Sequence, residues 1–367
     1  MTAITLFLCG DVMTGRGVDQ IMAEPCAPHL YEPVVKDARE YVAIAEFTSG
    51  PIPRKVAPTY PWGVALEELE RRGPAARIIN LETSVTTSED AEPKGINYRM
   101  HPANIAVLTS AHIDSASLAN NHVLDWGRGG LLETLGTVCQ AGIRVTGAGR
   151  TMSDAQAPAT IDVGGNGRVL VLGVCGPDCG VPRGWRATAT EPGVFRLDDY
   201  SSASVDRIGQ IMKGLKREGD IAVASIHWGG NWGYEVPNAH RQFAHALIER
   251  AAVDVVHGHS SHHAKGIEVY HRRPIFYGCG DFLNDYEGIH GPVGFRDDLT
   301  FMYFPTIELS TGELERLEMV PLRIHKFQLQ HASPEDRTWL RDTMARECGR
   351  FGHHVVARDD VLALEWT

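Results

Sequence analysis

Five short apolar runs along the chain each end in a cluster of polar residues with chemistry to offer. Residues 4–9 run into Gly10-Asp11, residues 77–81 hold Asn80 and give onto Glu82, and residues 115–119 are followed by Asn120-Asn121-His122. Residues 221–226 lead to His227, and residues 253–256 to His257-Gly258-His259-Ser260-Ser261-His262. Near-continuous apolar runs of this length fit strands covered on both faces. Between and after them the spacing turns helical, at 62–72, 104–111, 130–141, 205–216, 240–252 and 333–350. Gly73-Pro74 and Gly142 close two of these helices.

Residues 159–163, 168–174 and 193–197 read as neighbouring strands, with Gly164-Gly165-Asn166-Gly167 as a turn between the first two. Hairpins are predicted over 267–277 and 301–322, and a short strand at 143–146. Residues 26–61 carry several prolines and no period, and read as an irregular insertion. Strands alternating with helices, plus hairpins, predict a mixed-sheet α/β fold. One domain is expected over residues 1–330, with a helix and tail at 331–367 packed on it. If the strand ends converge, carboxylates, carboxamides and imidazoles meet at one point. Such a set makes a divalent-metal site with acid/base groups beside it.

Composition narrows the partners. The chain has 367 residues, a hydrophobic fraction of 43% and a formal net charge of −11. The hydrophobic share is ample for a large core. The negative balance argues against nucleic acid or an anionic membrane surface, both of which call for clustered Lys and Arg. Seven cysteines are scattered without a CxxC pair, which favours a reducing compartment. The N-terminus lacks a basic export signal and no run is long enough to span a bilayer, so a soluble cytoplasmic protein is expected. The sequence leaves the oligomeric state open.

Each candidate has an ordinary alternative. Asp11 at a strand end can be a helix cap, but Gly15 and Gly17 nearby permit close backbone approach to a ligand. Glu82 alone would be an exposed strand-end carboxylate. Asn120, Asn121 and His122 are costly to bury unpaired, and Asp125 is spaced to orient His122. His227 precedes Gly229-Gly230 and the aromatics Trp228, Trp232 and Tyr234, which read either as a pocket floor or as core. Asp281 and His290 are further acid/base or orienting candidates.

In combination and order, Gly10-Asp11-Val12-Met13, Asn80-Leu81-Glu82, Leu118-Ala119-Asn120-Asn121-His122, His227-Trp228-Gly229 and Gly258-His259-Ser260-Ser261-His262 resemble the motifs of CapA-like proteins. These form the poly-γ-glutamate capsule branch of the calcineurin-like metallophosphoesterases. The resemblance runs from about residue 4 to about residue 285. It implies a calcineurin-like β-sandwich flanked by helices, with metal ligands at strand ends. The departures are informative. Met13 stands where the family's Asp-x-His opening has its His, and Glu82 where a bridging Asp is usual. Ser261 replaces the second His of Gly-His-x-His. Against the capsule-type Gly-x-His-Pro-His, Ser260 replaces a His while His262 matches. Lost nitrogen ligands at one of two metal positions imply a single divalent ion, Ca²⁺ first, with Mn²⁺ or Mg²⁺ as further candidates. Two-metal phosphoester hydrolysis is correspondingly disfavoured.

The chain is also similar to CapA-like lasso-peptide epimerases. That resemblance implies inversion at the α-carbon of a C-terminal residue, with Trp a candidate, in a ribosomal peptide. Asp11 and His122 would then be acid/base groups, with Asp125 or Asp281 orienting an imidazole. Glu82, Asn121, His227 and His259 lead the ligand candidates, Asp11 and His257 are further ones, and His259 is also a candidate proton carrier. Trp228, Trp232 and Tyr234 would hold an aromatic side chain. The alternative function is a metal-dependent hydrolase of a phosphoester or γ-glutamyl amide, with His122 as general acid. A third is a binding protein with a degenerate site.

Overall fold

A computed structural model describes residues 3–164, 167–289 and 291–366. Two sheets face each other, and helices cover their outer sides, so the mixed α/β sandwich is as expected. In the larger sheet the first strand, Ala3–Val12, is central. Ala76–Leu81, Ser115–Ser117 and Arg144–Thr146 follow it in parallel on one side. Leu299–Glu308, Leu314–His325, Val361–Glu365 and His354–Arg358 continue antiparallel on the other. The smaller sheet has a parallel centre of Arg168–Cys175, Ile221–His227, Val255–His259 and Arg273–Phe276, with antiparallel edges Ala159–Asp162 and Ile267–Tyr270.

The two-residue period of each strand sorts its side chains into layers. Leu6, Leu8 and Ile78 point between the sheets, against Val169, Val171, Val223 and Val255. Phe7, Cys9 and Ile79 point the other way, toward Ala65 and Leu69 of helix Ala65–Arg72 and Leu131 of helix Gly127–Gln140. Ala222, Ala224 and Ile226 meet Phe243 and Leu247 of helix Asn238–Arg250. The parallel strands of both sheets deliver their carboxyl ends to one rim, which is where open α/β sheets bind ligands. Asp281–Leu283 reinforces that rim by pairing in parallel with Asp11 and Val12. Gly10 makes this possible: a Cβ there would lie 1.7 Å from the Gly280 carbonyl oxygen.

Several expectations change. The 26–61 segment is not wholly irregular: it holds helix Arg39–Ser49, which buries only Tyr41, Val42 and Ala45, too narrow a stripe to read as a period. The 104–111 helix shrinks to the turns Pro102–Asn104 and Ala106–Thr109. Gly193–Val194 leaves the smaller sheet and pairs with Ala148–Gly149, keeping only a bridge from Arg196 to Cys175. Ala159–Asp162 and Arg168–Cys175 do pair, although residues 165 and 166 of their turn lie outside the described residues. After helix Pro334–Gly349 the tail forms the hairpin His354–Arg358/Val361–Glu365, which joins the larger sheet beside Glu318 and Met319. All seven cysteines are free, and among the described residues no helix is long and apolar enough to cross a membrane.

The insertion is stapled to the rim by Arg16. Its side chain is 2% exposed. It binds both carboxylate oxygens of Asp285, at 2.5 and 3.1 Å, and reaches Glu32 and the Tyr41 hydroxyl at 2.9 Å each. Its guanidinium lies over the rings of Tyr41 and Tyr98. A planar five-donor fork is what satisfies so many partners in a dry place.

Candidate metal centre

Asp11, His227 and His259 present ligand atoms that all lie within 4.8 Å of one another, all three residues being buried. They are the only such group of three His, Cys, Asp or Glu residues among the described residues. Strand register explains the meeting: His227 and His259 are paired neighbours in the smaller sheet, and Asp11 ends the central strand of the larger one.

The hydrogen bonds fix which ring nitrogens face the centre. His257 Nε2 lies 2.7 Å from the Cys9 carbonyl, which can only accept, so His257 carries its proton there. Its Nδ1 must then accept from Ser225 Oγ at 3.2 Å. Ser225 has thereby used its proton and accepts from His259 Nε2 at 3.0 Å. His259 Nδ1 is left as a bare lone pair. His227 Nε2 is bonded at 2.8 Å to Asn121 Oδ1, so its Nδ1 is bare as well. The two lone pairs point at each other across 2.9 Å. Two acceptors cannot hydrogen-bond, but neighbouring ligands on one ion with bonds of about 2.1 Å sit about 3 Å apart. Asp11 Oδ1 is 4.0 Å from His259 Nδ1, and its other oxygen accepts the Ser260 amide at 3.2 Å. Ser260 adopts φ 104° to aim that amide, a conformation L-residues rarely take. The residues fit a divalent cation.

His257 therefore departs from its expected ligand role, because both its nitrogens are engaged by protein. Asn121 likewise orients His227 through the nitrogen turned away from His259. Glu82 stands at the edge: Oε1 is 3.8 Å from His227 Nε2 and 3.9 Å from His122 Nε2, while Oε2 accepts from Asn80 at 3.0 Å. Asn80 also donates to Asp11 Oδ1 at 2.7 Å, and Asn120 Nδ2 donates to Asn80 Oδ1 at 3.0 Å. Burial, with Asp281 repulsion added, pushes Asp11 up to about 7; burial and Asp11 push Glu82 well above the usual carboxylate range. Burial holds His227 and His259 well below the ordinary imidazole value. Crowded carboxylates beside neutral imidazoles are what a cation would relieve. With two imidazoles among three donors, the set suits a transition metal such as Mn²⁺ better than Ca²⁺, which prefers oxygen.

Ser225→Ala tests the relay. Divalent-ion affinity should fall about 10–100-fold in a chelator competition. Stability should fall by about 1–3 kcal/mol, because two buried imidazole nitrogens lose their partner. Unchanged affinity would show that the relay does not set His259.

A cavity of about 210 Å³ opens beside this centre, lined by Glu82, Asn121, His122, His262, Tyr98 and Tyr286 among others. His122 Nδ1 is 2.6 Å from Asp125 Oδ2, as its spacing predicts, and Lys94 Nζ braces Asp125 from the far oxygen at 2.7 Å. His262 Nδ1 is 2.8 Å from Asp281 Oδ1, and the Asn231 amide lies 2.9 Å from its Nε2. Burial lowers His122 to about 4. Burial alone would lower His262 too, but the Asp281 carboxylate outweighs it and raises that imidazole above its ordinary value. The substituted family positions explain themselves. Met13 is buried and takes the Tyr286 hydroxyl at 3.6 Å. Ser261 turns away to bond the His263 carbonyl at 2.9 Å.

Sequence reasoning missed Lys94, Tyr98, Tyr286 and the pairing of His262 with Asp281. Only the capsule-type match of His262 hinted at the last. Trp228 is no pocket floor: it is buried, stacks on His240 and donates to the Tyr277 carbonyl at 3.0 Å. Trp232 and Tyr234 pack on Phe295 beside His263 rather than lining the cavity. His290 lies outside the described residues.

Comparison with known proteins agrees with the motif reading. The family model described as "Bacterial capsule synthesis protein PGA_cap" matches residues 5–286. A "Probable polyglutamine synthesis accessory protein" of Mycobacterium tuberculosis is 45% identical over 98% of this chain and 95% of its own length. The "PGA biosynthesis protein CapA" of Bacillus subtilis is 27% identical over 86% of this chain and 70% of its own. The "Capsule biosynthesis protein CapA" of Bacillus anthracis is 24% identical over 92% and 71%. With a family match over most of its length and a relative of that identity spanning nearly all of it, the chain belongs to the bacterial capsule synthesis protein family, the CapA-like proteins.

Proposed function

We propose that the protein is a metal-dependent acid/base enzyme that inverts the α-carbon of the C-terminal residue of a peptide. One arrangement carries the reading. Two imidazole–carboxylate pairs, His122–Asp125 and His262–Asp281, reach the same cavity, their histidines following strands of different sheets, next to Asp11, His227 and His259. Inversion removes a proton on one side of a carbon and returns one on the other, so it needs two carriers in opposite protonation states. His122 takes the proton at Nε2 while Asp125 keeps Nδ1–H in place. His262, whose basicity the Asp281 carboxylate raises, is the second carrier: when the Asn231 amide turns away from its Nε2, that nitrogen carries a proton to the opposite side, and the roles exchange in reverse. Tyr98 and Tyr286 wall the cavity from water. A divalent ion held by Asp11, His227 and His259 would supply the positive field that a developing enolate requires.

A second reading, hydrolysis of a γ-glutamyl amide, draws on the same groups: His122 beside Glu82 would protonate the leaving amine. One experiment separates the two. Metal-loaded protein is incubated in D₂O with peptides bearing different C-terminal residues and with γ-glutamyl oligomers. Inversion predicts uptake of deuterium at one α-carbon and a D-residue in the product. Substituting His122→Gln or His262→Gln should slow inversion about 10²–10⁴-fold. Release of free glutamate without α-deuterium would replace this reading with the hydrolytic one.

A further inference from the structure

A second cavity, of about 520 Å³, adjoins the first, and Tyr286 lines both. Asn284 joins their walls: its Nδ2 donates to Asp281 Oδ2 at 2.9 Å and to the Asp297 carbonyl at 3.1 Å. Exposed apolar groups collect here. Of the seven large hydrophobic side chains exposed among the described residues, Ile96 lines the reaction cavity, Ile289 and Val293 line the second, and Phe47 directly precedes its wall residues Thr48 and Ser49. Three of seven lining two adjoining cavities make a contact surface rather than scatter.

The charges of this cleft are unequally answered. Arg296 binds Asp298 at 2.5 Å and Asp336 at 2.8 Å, and Arg323 lies 3.4 Å from Asp298. Glu287 is held by Ser49, His325 and the Lys326 amide. Asp297 is half-buried, and its carboxylate has no ion pair with any other described residue. Burial and Asp281 together push it up to about 6. A cation arriving in the cleft would be drawn to Asp297 in a partly dry setting, where charge pairs are stronger than in water.

We propose that this cleft holds the part of a peptide substrate lying outside the reaction cavity, and that Asp297 pairs there with a cationic group of that peptide, an ammonium or guanidinium. The inference rests on the peptide reading above and adds a sequence preference to it. The reacting residue occupies the smaller cavity, and the rest of the chain passes Tyr286 into the larger one.

The test reads binding apart from turnover. Metal-loaded protein is titrated with synthetic hexapeptides in which each position in turn carries lysine or its neutral counterpart norleucine. Lysine at one position should bind about fivefold more tightly. The preference should vanish in Asp297→Asn and fade in the unaltered protein between about 0.05 M and 0.5 M salt. Equal binding of lysine and norleucine at every position overturns the proposal, as does a preference that survives Asp297→Asn. Should that variant not fold, a preference indifferent to salt overturns it instead. A lysine preference without any α-deuterium would keep the cleft and remove the epimerase. Deuterium uptake without the preference would do the reverse.

Discussion

His259→Ala is expected to give a folded protein that emerges from dialysis with almost no divalent ion. His259 is fully buried, and its bare Nδ1 faces that of His227 across 2.9 Å. Removing it leaves one imidazole and one carboxylate, too few to hold an ion against water. Activity should fall by about 10³-fold or more, since the lost electrostatic stabilisation is several kcal/mol and each 1.36 kcal/mol is about a decade. His257→Gln is the informative partner variant. Its ring supports the centre only through Ser225, so affinity should weaken about 10–100-fold while stoichiometry survives in excess metal. Elemental analysis and a chelator titration decide the matter. A His259→Ala protein that keeps a full complement of ion as tightly as the parent would remove the centre from this place.

Arg16→Met should cause the largest loss of stability of any substitution considered. Removing a buried cation that serves Asp285 and Glu32 strands two carboxylates with almost no water around them. Breaking a buried pair in this way costs about 3–5 kcal/mol, much of it from the charge left behind. Arg16→Lys should recover only part, because a point charge cannot bind both Asp285 oxygens while reaching Glu32 and Tyr41. Restoring neutrality with Asp285→Asn in the Arg16→Met background should recover some of the loss. Denaturant unfolding measures all three variants. A loss below about 1 kcal/mol in Arg16→Met would show that water or a rearranged neighbour answers those carboxylates.

The sequence announced the strand ends well, and for a physical reason. Parallel strands buried on both faces leave unbroken apolar runs, so a polar residue closing such a run stands out. Asp11, His122, His227 and His259 were legible on that account, as was the His122–Asp125 spacing. Ser225 was not, because a serine inside an apolar strand reads as an ordinary small core residue. Its role exists only through His257 and His259 on the neighbouring strand. Arg16 was illegible for a similar reason: a lone arginine between glycines gives no hint that Asp285, Glu32 and Tyr41 converge on it. Trp228 stayed open between pocket floor and core because its neighbours in sequence are the cavity's neighbours, while its ring turns the other way, into the core. The helix at Arg39–Ser49 escaped notice because it buries a stripe too thin to set a period, and the final hairpin because its first strand, His354–Arg358, buries only Val355.

The central position of the first strand has a consequence for how the molecule comes into being. Ala3–Val12 is translated long before one of its flanking partners, Leu299–Glu308. Until that partner emerges, this largely buried strand has an open edge and must be kept from pairing with the wrong neighbour. Contacts so remote along the chain close slowly. Nascent chains of this protein should therefore lean heavily on chaperones until Leu299–Glu308 has paired.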